Sequence, residues 1–345
     1  MREAVPSIAS VRAVRRAPYP DAAVHLEVAC AAYGVPFARL DGDGGTVVRI
    51  GAPPHACVIA TTGRTCVYPL NTGTAMALAT DKHFTRIALD VAGIPNLGGE
   101  SFFLDARRAG QRRPGREVDD ARRCFDDRGG VAFCKPLAGS RGDFAERIAG
   151  RAAFEDWLVR VAAAHDAALL QDVFEGDEFR VFVVDDATVF VMQRFAPVLR
   201  GDGTRTLGAL HSELTARQTA DAISASVLPR VARTNAGRAV VRDDVLSVGE
   251  TVALDDRRNA SAGATVRLVQ GDDVPEGVVA IAHAARRATG LRVAGVDVMV
   301  CADGPRIIEV NGNPAIASLE GLGRDDLVLR VWGEVFARMG LVDGV

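Results

Sequence analysis

The sequence predicts an α+β protein, and three observations carry that prediction. Two pairs of apolar runs close around acidic turns: Val293–Cys301 and Arg306–Val310 about Asp303-Gly304, and Arg180–Val184 and Ala187–Phe195 about Asp185-Asp186. Each reads as two strands joined by a tight hairpin. Elsewhere, long segments carry helix start and stop signals. Finally, 345 residues with 48% hydrophobic composition supply two or three packed units.

In chain order, Asp21–Tyr33 follows Pro20 and stops at Gly34, which predicts a helix. Phe37–Leu40, Thr46–Ile50 and Ala56–Thr61 are short β-rich runs, so residues 1–75 form a small α/β lead-in unit. The preceding start, MREAVPSIASVRAVRRAP, shows no clear amphipathic helix and reads as a frayed lead-in. Thr72–Ala79 and Lys82–Ala92 are helical, the second capped by Asp81 and closed by Gly93 and Pro95. Arg107–Arg116 is a solvated basic loop. Val131–Leu137 is a strand that ends in the loop AGSRGD, and Asp143–Ala164 is read as one helix. Ala168–Phe174 leads into the Arg180–Phe195 hairpin, and Thr206–Thr219 is helical. Residues 225–250 are polar and weakly periodic, and yield no element. Thr265–Val269 is a strand, and Glu276–Thr289 and Asp325–Met339 are the last helices.

Net charge −3 gives no sign of a nucleic-acid or membrane-surface partner. No apolar run approaches a membrane span, and the first residues lack the apolar centre of a secretory signal. Cys30, Cys57, Cys66, Cys124, Cys134 and Cys301 form no CxxC pair and read as small core residues of a reduced, cytoplasmic protein.

Among 41 Lys and Arg residues, lysine occurs only at Lys82 and Lys135. In so arginine-rich a chain, these lysines mark positions where a compact point charge on phosphate suits better than a planar guanidinium, or they arise by chance. Lys82 lies in the first turn of a helix, where exposed amides also attract anions, although for a single helical lysine the commoner role is a solvated one. Asp297, on one strand of the last hairpin, and Glu309 and Asn311, on the other, offer three hard oxygen ligands that suit Mg²⁺ and phosphate oxygens, unless they simply face solvent.

Five segments in order resemble the ATP-grasp superfamily: DKHFTRIALDVAGIP, FCKPLAGSRGDF, QDVFEGDEFRVFVVDDATVFVMQRFAPVLRGDG, NASAG and AGVDVMV…IIEVNGNP. The likeness runs from about Leu70 to Met339 and is strongest toward the ATP-grasp domains of cyanophycin synthetase and of the bifunctional glutathione enzymes. It implies two α+β subdomains clasping ATP after the lead-in. The ATP-grasp domain would span 76–345, with 131–195 as the nucleotide-clasping subdomain and 196–345 as the metal and substrate subdomain.

The resemblance assigns ATP phosphates to Lys82 and Lys135, and a loop closing over them to Ser140–Gly142. Gln171 and the backbone of Asp172, Val173 and Phe174 would meet the adenine, and Glu178 the ribose. Asp297, Glu309 and Asn311 would hold two Mg²⁺ ions, with Mn²⁺ able to substitute. Arg194, Asn259 and Arg180 would face the transferred phosphoryl group and the acyl substrate. The implied activity is carboxylate–amine ligation through an acyl phosphate on small amino or carboxylic acids, in a homodimer. A small-molecule kinase and a nucleotide-binding regulator without turnover are the alternatives. The chain departs from the family pattern in a glycine-poor phosphate loop and in Gln171-Asp172, where paired glutamates are common.

Overall fold

The computed structural model describes residues 5–15, 19–62, 66–107, 109–139, 142–217, 228, 232–254 and 265–343. Two antiparallel sheets frame the molecule. The larger has five strands in the order β14 (Thr265–Val269), β9 (Ala187–Phe195), β8 (Asp177–Val184), β15 (Val293–Cys301) and β16 (Gly304–Asn311). The smaller has four: β4 (Glu100–Phe103), β7 (Ala167–Gln171), β5 (Val131–Pro136) and β6 (Glu146–Ala149).

The central strands of the large sheet read as nearly continuous apolar runs because both of their faces are covered. Phe179, Val181 and Val183 of β8 join Val296 and Val298 in a core with α8 (Val278–Thr289). Alternate residues Phe182 and Val184 point the other way, into a core with Trp332 and Phe336 of α10 (Asp325–Arg338). That second core also takes Val24, Leu26 and Val28 of α2 (Asp21–Tyr33) and Val48 and Ile50 of β2 (Val47–Ile50). β2 sits between β1 (Phe37–Arg39) and β3 (Cys57–Ala60) in a three-stranded sheet. The lead-in thus shares its core with the C-terminal helix, and Tyr68 stacks on Trp332 at 5.2 Å between ring centroids.

On the small sheet, Ala132 and Cys134 of β5 and Ala168 and Leu170 of β7 pack against α5 (Val118–Asp127) and α6 (Arg151–Ala162), around Phe125, Phe154 and Trp157. Strand alternation therefore turns Phe133, Lys135, Leu169 and Gln171 to the opposite face.

Several expectations need correction. Residues 5–15 of the start are not frayed: α1 (Ile8–Val14) is capped by Ser7, buries Ile8 and Val11, and anchors Arg12 to Glu320 at 2.7 Å. Its burial comes from distant residues, which a local periodicity search misses. Asp143–Ala164 is not one helix, because β6 pairs with β5 before Gly150, at φ 88°, opens α6. The basic loop is not merely solvated: Arg112 reaches Asp105 and Glu117 and lies 3.9 Å from the Phe103 ring centroid. The 131–195 grouping also differs from the sheet pairing, since β8 and β9 hydrogen-bond with β14 and β15, not with β5–β7. A hairpin's sequence does not reveal which sheet it joins.

Within 225–250, β11 (Ala232–Arg233) and β12 (Ala239–Val240) pair. They join a small core with α7 (Leu207–Arg217), β10 (Val198–Arg200) and β13 (Thr251–Ala253). Among the described residues, no helix is long and apolar enough to cross a membrane. All six cysteines are free; Cys30, Cys124 and Cys134 are buried and the others partly so.

Candidate active site

One face of the large sheet is apolar until its last rows, where the register puts charged side chains side by side. Asp297 of β15 stands opposite Arg180 of β8 and Glu309 of β16, while Glu178 stands opposite Arg194 of β9. Such cross-strand neighbours lie close enough to interact directly. Arg180 grips Asp297 with two bonds, Nε to Oδ1 at 2.6 Å and Nη2 to Oδ2 at 2.7 Å. Arg194 Nη1 adds a third at 3.0 Å to Oδ2, and Arg180 Nη2 also lies 3.9 Å from Glu309. Burial opposes charge on Asp297, but the Arg180 and Arg194 cations outweigh it and hold this carboxyl below its ordinary range.

The small sheet supplies the other wall. Lys135 is buried on the face turned away from α5 and α6. Burial and then the nearby Lys82 charge push its ammonium down to about 8, against the pull of Glu309, Glu178 and Asp297. The carboxylates of the large sheet are therefore near enough for their charges to bear on the lysine of the small one. Lys82 opens α4 (Lys82–Val91) beneath its Asp81 cap; its backbone N–H donates to Leu137 O at 3.3 Å and its Nζ to Gly139 O at 3.5 Å. Both lysines therefore stand beside the loop after β5.

Gln171 closes β7, opposite Phe133 and diagonal to Lys135 on the same face. Its Nε2 donates to Gly98 O at 2.7 Å, while its buried Oε1 has no hydrogen-bond partner. Next to it the Asp172 side chain turns away to Arg128 at 3.0 Å, and Phe174 lies 5.6 Å from the Arg306 guanidinium. Val173 is partly buried between them. Gly142 has φ +73°, a conformation glycine adopts without strain. Ser140 and Asn259 lie outside the described residues.

The donor set fits a hard cation: Asp297 and Glu309 are carboxylates in register, and Asn311 follows two residues on, its Oδ1 accepting from Asn313 N at 2.9 Å. Among the described residues, no group of three His, Cys, Asp or Glu side chains could hold a metal.

A residue not singled out from the sequence holds this corner together. Asn71 Nδ2 donates to Val293 O and Gly312 O, both at 2.8 Å, and its Oδ1 accepts from Arg292 N and Val293 N. Val67 N bonds Asn313 Oδ1 and Tyr68 Oη bonds Pro314 O, so the whole segment is laid along the turn after Asn311. Asn71 sits between Leu70 and Thr72 with only the signal of an ordinary turn residue.

Residues 211–327 match the family model of the RimK-like ATP-grasp domain. A bifunctional glutathione synthetase from Pasteurella multocida superposes with TM-score 0.51 at 17% identity, covering 86% of this chain and 41% of that one. The chain has the ATP-grasp fold. In sequence it is similar to cyanophycin synthetase of Geminocystis herdmanii, 26% identical over 272 residues, which are 72% of this chain and 29% of the relative. It is also similar to the glutathione biosynthesis bifunctional protein GshAB of Enterococcus faecalis, 25% identical over 258 residues, 68% of this chain and 32% of that protein. The chain thus spans about a third or less of these curated relatives.

Proposed function

We propose that this ATP-grasp protein is an ATP-dependent carboxylate–amine ligase acting on amino-acid or small carboxylic-acid substrates. One observation carries the reading: a buried lysine from one sheet feels a row of carboxylates from another, with a second lysine beside it. That arrangement suits a triphosphate and its divalent cation, which need cations and hard oxygens at the same place.

A carboxylate is a poor electrophile, so its oxygen first attacks the γ-phosphoryl group and ADP leaves. The amine then attacks the resulting acyl phosphate, expels phosphate and loses a proton, leaving an amide. Lys82, Lys135 and the Ser140–Gly142 loop hold the phosphates, Gln171 and the Asp172–Phe174 backbone the adenine, and Glu178 the ribose. Asp297, Glu309 and Asn311 hold Mg²⁺, as two ions replaceable by Mn²⁺, and the metal supplies charge neutralisation on the phosphates when bound. Arg194, Arg180 and Asn259 face the transferred group, which requires the guanidiniums to share Asp297 with the metal. Residues 1–75 shape the substrate side of the cleft, 76–345 form the catalytic unit, and the working form is a cytoplasmic homodimer.

The test is a phosphate-release screen over pairs of amino acids and small carboxylic acids with ATP and Mg²⁺, with mass spectrometry of products. An amide formed together with ADP and phosphate supports ligation. A phosphorylated product that accumulates in the presence of amines points to a kinase, and nucleotide uptake with no turnover on any pair points to a regulator.

A further inference from the structure

We propose that residues 67–71, where the lead-in meets the ATP-grasp domain, set how tightly the site holds Mg²⁺: Asn71, and with it Asn313, is a positioning residue that acts through the Asn311 carboxamide. This rests on the metal reading above and adds to it the residues that tune the uncharged ligand. Asp297 and Glu309 are carboxylates and attract a cation by charge. An amide carries no net charge, so its share depends on where its oxygen is held. Mg²⁺ demands near-ideal octahedral geometry, and partners that orient a ligand without touching the metal typically change affinity by about 10–100-fold.

The Asn311 oxygen is fixed through its neighbours. Asn313 N–H donates to Asn311 Oδ1 at 2.9 Å, which engages one of that oxygen's two lone pairs and sets which way the amide faces. Asn313 is held in turn, its own Oδ1 accepting from Val67 N at 3.1 Å. On either side of it, Gly312 O accepts from Asn71 Nδ2 at 2.8 Å and Pro314 O from Tyr68 Oη at 2.9 Å. Three successive residues after Asn311 thus each take a hydrogen bond from residues 241 to 246 positions earlier. Across the turn, Pro314 covers Gly295, the register partner of Asn311, so closely that a Cβ on Gly295 would lie 2.7 Å from Pro314 Cβ. Asn71 does more than hold the turn. Its Nδ2 also reaches Val293 O, and its Oδ1 accepts from Arg292 N and Val293 N, so both donors and both lone pairs of the amide are filled by backbone. Val293 opens the strand that bears Asp297, and Gly312 follows the strand that bears Glu309 and Asn311. One side chain therefore pins together the two ligand-bearing strands at the end where the ligands stand. Tyr68, buried and stacked on Trp332, anchors this segment to the C-terminal helix, and Asn71 N–H donates to Tyr68 O at 3.2 Å.

Calorimetric titrations with ATP at stepped free Mg²⁺, with no second substrate present, test this without turnover. The quantity read is the Mg²⁺ concentration at which half of the metal's enhancement of ATP binding is reached. In Asn71→Ala, checked for folding by circular dichroism, that midpoint rises about tenfold, while ATP binding in EDTA keeps its wild-type value. Asn311→Ala raises the midpoint as well, and the double variant rises no further than Asn311→Ala alone, because Asn71 then has no ligand left to position. An unshifted midpoint in folded Asn71→Ala, or shifts that multiply in the double variant, overturns the proposal and leaves the metal site standing. So does a loss of ATP binding in EDTA as large as the loss with Mg²⁺, which marks a merely structural role. Wild-type ATP binding indifferent to Mg²⁺, or an unshifted midpoint in Asn311→Ala, overturns the metal reading and this proposal with it. If Asn71→Ala does not fold, Asn313→Ala, which deletes the acceptor of the Val67 N–H, decides by the same cycle.

Discussion

The two walls of the cleft solve opposite electrostatic problems. On the large sheet, charge is met within the protein: Asp297 takes three hydrogen bonds from Arg180 and Arg194. On the small sheet burial still wins: Lys135 has its ammonium pushed down to about 8 against the pull of Glu309, Glu178 and Asp297, and the Gln171 oxygen lacks a partner. One wall is a network paired at close range, whereas the other keeps a cation that burial disfavours beside an acceptor without a donor. The difference teaches where a ligand contributes most. Groups that are already paired gain little from it, whereas a strained cation and an orphaned acceptor gain what folding withheld.

Breaking each wall in turn should give unlike results. The largest effect is on chemistry: Glu309→Gln removes a carboxylate from the proposed metal set, and phosphate release should fall by orders of magnitude with the folded state intact. Full turnover in that variant would refute the metal assignment. Next comes Arg180→Met on the paired wall. It leaves Asp297 buried with only Arg194, and denaturant unfolding should show a loss of about 3–5 kcal/mol. Lys135→Met sharpens the contrast, because removing a cation that burial disfavours should leave stability unchanged or raised while calorimetry shows weakened ATP binding. Equal losses of stability in the two variants would erase the distinction between the walls.

Asn71→Ala should cost about 2–3 kcal/mol in the same unfolding measurement, since it strips partners from backbone groups of both Val293 and Gly312. The smallest effect is on pH. Nucleotide binding favours the charged form of Lys135, so affinity holds below about pH 8 and falls as pH rises through it, by at most about tenfold per unit. For stability the sign is reversed. Because this lysine titrates lower folded than unfolded, its contribution is fully present above its ordinary value of 10.5 and is lost as pH falls through about 8. Titrations between pH 7 and 9.5 in buffers of differing ionisation enthalpy should show proton uptake on ATP binding, and its absence would remove Lys135 from the phosphates.

Much of this was legible beforehand where the signal is local. The helix over Asp21–Tyr33 has the bounds its Pro20 and Gly34 flanks imply, and the strand Val293–Cys301 begins and ends where its apolar run does. β6 hid inside a helical reading because four residues of mixed character take their state from the partner strand. Nothing local to Arg180 or Arg194 signals that register sets both on Asp297, and Asn71 carries only the signal of a turn.

The amino-acid order alone settled the kinds of element and the rare lysine and carboxylate positions, because caps, turns and alternation act over a few residues. Tertiary structure decided which sheet each hairpin joined, which cation neutralises which acid and which polar atom is left wanting. Those outcomes depend on burial and on partners as far apart in sequence as Arg180 and Asp297, whose distance from one another no local pattern encodes.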